Sequence, residues 1–441
     1  MRPAARLQAV IEILDGVEEG IRTLSAPADR VVADYCRNRR FIGSKDRRAI
    51  STLSYDVIRR RGHHLWRIEN AGLPVSGRSL LISYLAHTSA NELTLFGDDA
   101  AHSPDKLSDA EQLAIDQFST LENADSKPIS AELELPEFIE PALRQRFGAS
   151  FDTAIDSLNE TAPLDIRSNP TKAVDVLIEE LKKISEDIVK TQYSPIGYRS
   201  NSKVRVTGTD LYISGKIEVQ DEAAQVACYM ADAQPGMAVV DLCAGAGGKS
   251  LLLSALMDNK GQLFAFDASA KRLSALSNRS KRAGCRNIQI KAIPEQGAKR
   301  AEILAEMSGK AARVVIDAPC SGTGTWRRNP DQRWRLSEDQ IKDYAAVQLK
   351  LLTEGAQMVA PGGRLIYMTC SILPAENEAV VDAFFTAHGT ADWKLVNYKS
   401  VWSKVLDSPP ASSAAKNEAM LQFVPHQHQT DGFFVAILEK T

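Results

Sequence analysis

Two cysteines stand at the ends of two similar, mostly apolar runs. Cys320 follows the run Val314–Pro319, and Cys370 follows the run Leu365–Thr369. A thiolate that adds to carbon 6 of a pyrimidine makes carbon 5 nucleophilic enough to take a methyl group. A second base must then remove the carbon 5 proton before the thiolate can leave. The two thiols therefore indicate an enzyme that attacks an electron-poor ring through sulfur.

A carboxyl group lies close to the first of these cysteines in the sequence. Asp317 stands on the turn that leads to Cys320, where it could contact N3 of the ring and stabilise the adduct. We expect the fourth and fifth strands to flank the first, about 4.8 Å from strand to strand. Both cysteines then emerge in the crevice at the carboxyl ends of the strands, where ligands bind.

Most cysteines have no chemical role. A lone cysteine is usually a small buried hydrophobe. We assign that role to the three cysteines outside these motifs, which are Cys36, Cys228 and Cys285.

A glycine-rich segment follows an earlier apolar run. Val239–Leu242 leads into Cys243-Ala-Gly-Ala-Gly-Gly-Lys249. A phosphate-binding P-loop needs glycine where Cys243 stands, and the dinucleotide-binding pattern needs a third glycine where Ser250 stands. Small residues still let backbone amides approach a ligand at the first strand–helix turn. The segment is therefore typical of a cofactor site that lacks a pyrophosphate cradle.

A second carboxylate, Asp267, ends the next strand. At this position an acidic side chain accepts hydrogen bonds from the ribose hydroxyls of the cofactor, in NAD and S-adenosylmethionine sites alike. The alternative is that Asp267 caps the helix predicted from Ala268 to Ala283. A cationic methionine-type cofactor needs no pyrophosphate cradle, so the two features together favour a methyl donor.

The composition is that of a globular protein with more than one domain. At 441 residues, with 44% hydrophobic and 25% charged residues, the chain is expected to form two or three domains. No apolar run reaches the ~18 residues of a membrane span, and the acidic residues near the start exclude a secretory signal. We expect a cytoplasmic monomer without membrane contact. Because the six cysteines include no CxxC pair, we expect no metal and no disulfide framework.

The net charge of −3 hides two regions of opposite charge. Residues 1–70 are rich in arginine, and most of the charged residues in 91–140 are acidic. A basic region attached to an acidic one suggests a surface for a polyanion, whereas any single basic cluster is equally well explained as a solvated helix face. The residues expected to contact the polyanion in this region are Arg39, Arg40, Arg47 and Arg48.

A second cationic segment follows Cys320 and interleaves aromatic with basic side chains. Stacking and phosphate contacts with single-stranded nucleic acid use such side chains, and carbon 5 of a base is reached only when the base is unstacked. An equally favoured alternative is that Trp326 and Trp334 pack this loop onto the core. The residues of this segment expected to bind nucleic acid are Arg327, Arg328, Trp334 and Arg335.

Apolar periodicity divides the chain into three predicted domains. Residues 1–132 show helical spacing and predict an all-helical bundle. Residues 133–218 mix helices with strands and predict a small α+β module. Residues 219–441 alternate strands with helices and predict an α/β domain with a parallel, doubly wound sheet. The elements predicted in the middle module are helices at 136–147, 151–159 and 173–183 and strands at 164–170, 188–191, 203–206 and 210–218.

Several motifs in the sequence resemble those of a known enzyme family. They are Gln220-Asp-Glu222, Cys243-Ala-Gly-Ala-Gly-Gly-Lys249, Asp317-Ala-Pro-Cys-Ser-Gly-Thr-Gly324, Arg327-Arg-Asn-Pro-Asp331 with Trp334-Arg335, and Tyr367-Met-Thr-Cys-Ser-Ile-Leu-Pro374 with Glu376-Asn-Glu378. Together they resemble the RsmB/Sun/Nop family of S-adenosylmethionine-dependent RNA 5-methylcytosine methyltransferases. The basic bundle, with the run from Phe41 to Ile50, resembles the NusB-like RNA-binding domain of bacterial members. The middle module is similar to their ferredoxin-like linker domain.

The resemblance implies a role for each matched residue. It implies that Cys370 is the nucleophile at carbon 6, and that Cys320 assists product release. Asp317 is implied to contact N3 or the exocyclic amine as well as the cofactor, with Lys249 near the reaction centre. The residues implied to bind S-adenosylmethionine are Cys243, Ala244, Gly245, Ala246, Gly247, Gly248, Lys249, Asp267 and Asp317.

Two positions depart from the family pattern. Ala246 replaces the proline that the family usually has in its glycine-rich turn. The segment Lys291–Gln296 has no Asp at the place where the family offers one near the adenine, and Glu295 is the only acidic residue there.

We therefore expect a Rossmann-like methyltransferase domain, preceded by a NusB-like and a ferredoxin-like domain, that methylates carbon 5 of a cytosine in ribosomal RNA. Transfer RNA is an alternative substrate. A non-catalytic RNA-binding or assembly protein of the same fold is an alternative function, but the presence of Cys370, Cys320 and Asp317 argues against it. A methyltransferase that modifies protein glutamine has Asn-Pro-Pro-Tyr where this chain has Asp317-Ala-Pro-Cys320.

Overall fold

The computed structural model describes residues 1–99, 101–122, 127–172, 177–202 and 204–441. These residues form two compact units: Met1–Pro141 with Trp326–Glu338, and Ala142–Thr325 with Asp339–Thr441. The three domains predicted from the sequence, with boundaries after residues 132 and 218, stay a prediction. Within the described ranges, no helix is long and apolar enough to cross a membrane.

The first unit is helical, as the periodicity predicted. Leu7, Val10, Leu14 and Val17 recur at helical spacing on its first helix and are buried in one core with side chains of the other helices. The helices are α1 (Pro3–Thr23), α2 (Ala28–Asn38), α3 (Ser44–Arg59), α4 (Arg61–Asn70), α5 (Gly77–Thr88), α6 (Asp109–Glu122) and α7 (Ile129–Glu132).

The second unit begins with a small antiparallel sheet. Its strands β1 (Leu164–Ser168), β2 (Val189–Lys190), β3 (Gly197–Ser200) and β4 (Ile217–Val219) are arranged in the order β2-β3-β1-β4. All three neighbouring pairs run antiparallel. The helices of this region are α8 (Glu140–Phe147), α9 (Phe151–Asn159), α10 (Leu177–Lys182) and α11 (Asp210–Ile213).

Two strand predictions in this region were wrong. Residues 204–206 of the predicted strand 203–206 do not form a strand, because the chain there enters the 3-10 turn Val206–Gly208. The predicted strand 210–218 begins instead as α11, because the Thr209 side chain accepts a hydrogen bond from the Tyr212 amide and caps a helical turn. Strand β3 was not predicted. Residue 203 and residues 173–176 of the predicted helix 173–183 lie outside the described residues.

A larger sheet of eight strands follows in the same unit. Seven strands lie in the order β10-β12-β9-β8-β5-β6-β7, and β11 pairs with β12. The strands are β5 (Ala238–Asp241), β6 (Gln262–Asp267), β7 (Ile288–Ala292), β8 (Ala311–Asp317), β9 (Val359–Thr369), β10 (Trp393–Val396), β11 (Leu421–Phe423) and β12 (Phe433–Lys440). The helices that follow β4 are α12 (Glu222–Met230), α13 (Gly248–Leu256), α14 (Ala270–Ala283), α15 (Ala298–Ala305), α16 (Glu338–Met358), α17 (Glu378–His388), α18 (Tyr398–Val405) and α19 (Pro425–His428).

Helices cover both faces of this sheet. Successive strand residues point to opposite faces, so Val239 joins a core with α12, α13, α14 and α18, whereas Val240 joins a core with α15, α16 and α17. The doubly wound α/β fold is thereby confirmed.

Two details of the sheet differ from expectation. Strands β7, β6, β5, β8 and β9 are parallel, but β12 runs antiparallel to β9, β10 and β11. The fifth parallel strand, β9, pairs with the fourth, β8, and not with β5. The ends of β8 and β9 are therefore direct neighbours.

Candidate active site

The glycine-rich turn connects β5 to α13. Gly245 and Gly247 have φ values of 54° and 87°, in the left-handed region that favours glycine. A Cβ on Gly247 would lie 2.1 Å from the Leu276 side chain, so packing also requires glycine there. The turn is held from α14 by Arg279, whose guanidinium donates to the Ala246 carbonyl at 2.7 Å.

Asp267 joins this turn to the end of β6. Its carboxylate, 3% exposed, accepts hydrogen bonds from the backbone amides of Gly245 at 2.8 Å and Ser269 at 2.7 Å. Arg272 forms an ion pair with it at 3.0 Å. Ser269 and not Asp267 is the N-cap of α14, so the alternative in which Asp267 is the helix cap is not supported.

A third carboxylate, Asp241, was not predicted from the sequence. It ends β5, is buried, and accepts a hydrogen bond from the Ser250 hydroxyl at 2.6 Å. Burial raises the pKa of Asp241 to about 6. The signal that could have identified Asp241 is its place in the sequence, directly before the glycine-rich turn.

The residues of the glycine-rich turn and the end of β6 fit S-adenosylmethionine. A carboxylate at the end of β6 suits ribose hydroxyls, and the turn of small residues gives a ligand access to the backbone at the start of α13. The fit rests on the glycine conformation of the turn and on the position of Asp267.

Lys249 and Asp317 form a half-buried ion pair beside the turn. The Lys249 Nζ lies 2.6 Å from Asp317 Oδ2 and 4.8 Å from the centre of the Phe433 ring. Burial lowers the pKa of Lys249, but the charge and hydrogen bond of Asp317, together with Cys228 and Cys370, outweigh burial and raise it. Lys249 is therefore an ammonium group, and its charge also interacts with Cys370.

The two cysteines of interest lie together at the neighbouring ends of β8 and β9. Their sulfur atoms are 3.4 Å apart, and both residues are half-buried. The hydrogen bond to Cys370, together with burial, raises the pKa of Cys320 well above its usual value. Cys320 is therefore a neutral thiol at rest. By contrast, Cys228 is fully buried in the core beside α13.

Backbone hydrogen bonds link the two cysteine loops. The Gly324 amide donates to the Cys370 carbonyl at 2.9 Å, and the Ile372 amide donates to the Thr323 hydroxyl, also at 2.9 Å. A Cβ on Gly324 would lie 2.2 Å from the Gly432 carbonyl oxygen. The sulfurs are thus presented by loops that cannot separate without breaking these contacts.

Of the arginines expected to bind RNA at the N-terminal end, Arg39 and Arg40 lie on the turn between α2 and α3, and Arg47 and Arg48 lie near the start of α3. Arg39 donates to Glu12 at 2.9 Å and stacks on Tyr35, and Arg47 donates to the Ile42 carbonyl at 2.8 Å. Arg40 and Arg48 are exposed. Phe41, which was not predicted to have a binding role, is 76% exposed within the same turn.

The second group of residues expected to bind RNA lies in the segment Trp326–Glu338, which belongs to the helical unit. Arg327 is only 6% exposed. Arg335 donates to the carbonyls of Gly20 and Ala26 at 2.7 and 2.8 Å. Trp326 is fully buried, as the packing alternative proposed. RNA contact by Arg327, Arg328, Trp334 and Arg335 stays a prediction, and the burial of Arg327 favours a packing role for that residue.

Comparison with known proteins adds an independent finding. Residues 228–439 match the family described as 16S rRNA methyltransferase RsmB/F. The chain is 31% identical over 334 residues to a probable ribosomal RNA small subunit methyltransferase B from Synechocystis sp., covering 75% of this chain and 72% of that protein. A ribosomal RNA small subunit methyltransferase B from Serratia proteamaculans is 27% identical over 421 residues, covering 90% of this chain and 92% of that protein.

A solved structure agrees with these matches. The crystal structure of a methyltransferase homolog protein from Pyrococcus horikoshii superimposes with a TM-score of 0.59 at 25% identity, covering 71% of this chain and 97% of that chain.

Proposed function

The chain belongs to the RsmB/F family of 16S rRNA methyltransferases, and we propose that it methylates carbon 5 of a cytosine in ribosomal RNA through a covalent bond from Cys370 to carbon 6. Family membership makes the chain an S-adenosylmethionine-dependent methyltransferase. The finer assignment, to cytosine and to carbon 5, is supported by one observation above all, which is the pair of sulfurs 3.4 Å apart at neighbouring strand ends. The cell compartment proposed is the cytoplasm, where ribosomal RNA of bacteria lies.

We assign the two cysteines different roles, with Cys370 as the nucleophile and Cys320 as the base. The Cys370 sulfur attacks carbon 6, and the electron pair of the ring double bond moves to carbon 5. A thiol with a raised pKa is a poor nucleophile at neutral pH, but its thiolate is a strong base. Cys320 has such a raised pKa, and we assign it to the removal of the carbon 5 proton. Once Cys320 has released its own proton to solvent, its thiolate takes the proton from the methylated carbon 5. The electron pair of that C–H bond re-forms the double bond between carbons 5 and 6, and the bond from carbon 6 to sulfur breaks to leave a Cys370 thiolate.

The Lys249–Asp317 pair supports the ring during attack. A hydrogen bond or proton at N3 stabilises the electron-rich adduct, and these two side chains stand beside the glycine-rich turn with a 2.6 Å contact between them. Bound at this turn, S-adenosylmethionine supplies an electrophilic methyl group to carbon 5. Residues 243–249, Asp267 and Asp317 are proposed to hold it.

A non-catalytic assembly protein would not need this arrangement. Two half-buried thiols beside an ion pair serve no packing purpose that an apolar residue would not serve better. The geometry of Cys320, Cys370 and Lys249 therefore favours an enzyme over a binding protein.

Bisulfite mapping of total RNA from cells with and without the gene tests this proposal. Methylation at carbon 5 protects a cytosine from conversion, so a cytosine of 16S ribosomal RNA is expected to lose its protection when the gene is absent. An identical map in both strains contradicts the proposal, and a change confined to transfer RNA corrects the substrate.

A further inference from the structure

A buried carboxylate lies behind the two cysteine loops. Glu376 is fully buried in the short turn Pro374–Glu376 that follows the Cys370 loop. Its Oε1 accepts hydrogen bonds from the Ser321 amide at 2.8 Å and from the Gln348 side-chain amide at 3.1 Å. Its Oε2 accepts from the hydroxyls of Ser321 and Ser371, the latter at 2.5 Å. The Glu376 carboxylate thus accepts four hydrogen bonds.

The two serines bound by Glu376 are the residues directly after the two cysteines. Ser321 follows Cys320, and Ser371 follows Cys370. A shift of either serine therefore moves the adjacent sulfur. Gln348 ties the same carboxylate to the other side of the first loop, because its side-chain amide also donates to the Pro319 carbonyl at 2.9 Å.

A buried carboxylate is retained only where its charge is compensated. Removing a carboxylate from water is unfavourable unless donors replace the water, and hydrogen bonds to a charged acceptor are stronger than those between neutral groups. The four donors to Glu376 come from both cysteine loops and from α16. The carboxylate therefore stabilises one relative placement of these loops, which a neutral side chain does not reproduce.

We propose that Glu376 is a positioning residue that fixes the separation of the two reactive sulfurs through Ser321 and Ser371. The inference rests on the proposed function, because the sulfur separation matters only if both thiols act on one ring. Adduct formation requires Cys370 to reach carbon 6, and release requires Cys320 to reach the proton on carbon 5. Displacements of about 1 Å at reacting atoms can cost about 100-fold in rate.

A matched control lies two positions further along the same motif. Glu378 is also buried, and it forms an ion pair with Arg146 at 2.6 Å and accepts from the Lys416 amide at 3.0 Å. Its partners are not the cysteine loops. Glu378→Gln therefore breaks a buried carboxylate network of the same unit without altering the support of the sulfurs.

The test measures single-turnover adduct formation on 16S ribosomal RNA transcribed with 5-fluorocytidine. The fluorine on carbon 5 cannot be removed as a proton, so the Cys370–carbon 6 bond persists after methyl transfer and the adduct survives denaturing gels. Glu376→Gln is expected to slow adduct formation about 10- to 100-fold, with an unchanged dissociation constant for S-adenosylmethionine. Glu378→Gln is expected to lower the free energy of unfolding but to leave the adduct rate of the folded protein unchanged.

Ser371→Ala keeps the test decisive if Glu376→Gln does not fold. It removes one donor to the carboxylate and is expected to slow the same step in the same direction. The inference is overturned if folded Glu376→Gln and Ser371→Ala proteins form the adduct as fast as Glu378→Gln does. That result leaves the proposed function intact. A wild-type chain that forms no adduct overturns the proposed function and this inference with it.

Discussion

At the residue scale, the sequence identified the side chains on which the catalytic proposal depends, but it did not identify the residues that these side chains contact. Cys320, Cys370, Asp317 and Lys249 could be singled out because each belongs to a motif at a strand end. The contacts of Glu376 with both cysteine loops could not be predicted, since they join residues 55 and 5 positions apart through tertiary packing.

Replacement of Lys249 tests the ion pair directly. Lys249→Met removes the ammonium group and leaves Asp317 without its partner at 2.6 Å, so methyl transfer is expected to fall about 100-fold, as when one preorganised donor is removed. The measurement is the initial rate of methyl transfer from radiolabelled S-adenosylmethionine to ribosomal RNA.

Lys260→Met is the matched control for this replacement. Lys260 pairs with Asp258 at the same distance of 2.6 Å, but both side chains are more than two-thirds exposed, where ion pairs contribute little. Its rate is expected to equal that of the wild type. Equal rates for both variants would contradict the role given to Lys249.

At the element scale, the sequence predicted the large sheet better than the small one. The helix predicted from Ala268 to Ala283 matches α14 to within two residues at its start, and the Ser269 cap and final Gly284 of α14 are strong local signals. In the region 203–218 the residues typical of strands do not form the predicted strands. The Thr209 side chain caps a helical turn there instead. The antiparallel direction of β12 also had no local signal, since it is set by pairing with β9.

The glycine-rich turn provides a test of one element. Gly247→Ala places a Cβ 2.1 Å from the Leu276 side chain at a φ of 87°. Strain at such a φ costs about 1–3 kcal/mol, and the clash with Leu276 adds to it. The variant is expected to lower the free energy of unfolding and to weaken S-adenosylmethionine binding, measured by chemical denaturation and calorimetry.

Gly389→Ala separates the clash from the backbone strain. Gly389 has a φ of 76°, and a Cβ there meets nothing within 4 Å. A smaller loss of stability with unchanged S-adenosylmethionine binding is expected. A loss at Gly389 as large as that at Gly247 would show that the contact with Leu276 has no energetic role.

The turn between α2 and α3, with the start of α3, carries the prediction for RNA binding. Arg40 and Arg48 are exposed, whereas Arg39 and Arg47 already have partners in the helical unit. The double variant Arg40→Ala/Arg48→Ala is therefore expected to weaken binding of a 16S ribosomal RNA fragment. The salt dependence of the binding constant should become shallower by about 0.7 in log–log slope for each RNA phosphate that the variant no longer neutralises.

Two other exposed arginines serve as the control for that turn. Arg22 and Arg37 are more than 70% exposed but are each paired with an acidic neighbour on the same helix. Arg22→Ala/Arg37→Ala is expected to leave the slope unchanged. A slope unaffected by the Arg40/Arg48 variant as well would exclude this turn from the RNA contact.

At the scale of the whole molecule, the helical unit is completed by a distant segment of the chain. Trp326–Glu338 belongs to the same compact unit as the first 141 residues. Asp331 accepts a hydrogen bond from the Ala28 amide at 3.0 Å, and the Arg333 guanidinium donates to the Glu134 carbonyl at 2.8 Å. Sequence periodicity describes neighbours along the chain, so it could not assign this segment to the helices.

Removal of the Asp331 carboxylate tests that assignment. Asp331→Ala leaves the first amide of α2 without its acceptor, and loss of a helix cap costs about 1 kcal/mol. Hydrogen exchange of α2 is expected to accelerate in the full-length variant. Asp339→Ala, at an exposed position outside this unit, is expected to have no effect on α2. Equal protection of α2 in both variants would contradict the structural role of Asp331.

The most direct test of the account asks which cysteine bonds to RNA. Each protein is incubated with S-adenosylmethionine and unmodified 16S ribosomal RNA, and products are separated on a denaturing gel. Cys320→Ala is expected to accumulate a protein–RNA adduct, because addition proceeds but the carbon 5 proton is not removed. Cys370→Ala is expected to form none and to lose methyl transfer while still binding S-adenosylmethionine. An adduct with Cys370→Ala and none with Cys320→Ala would contradict the assignment of the nucleophile.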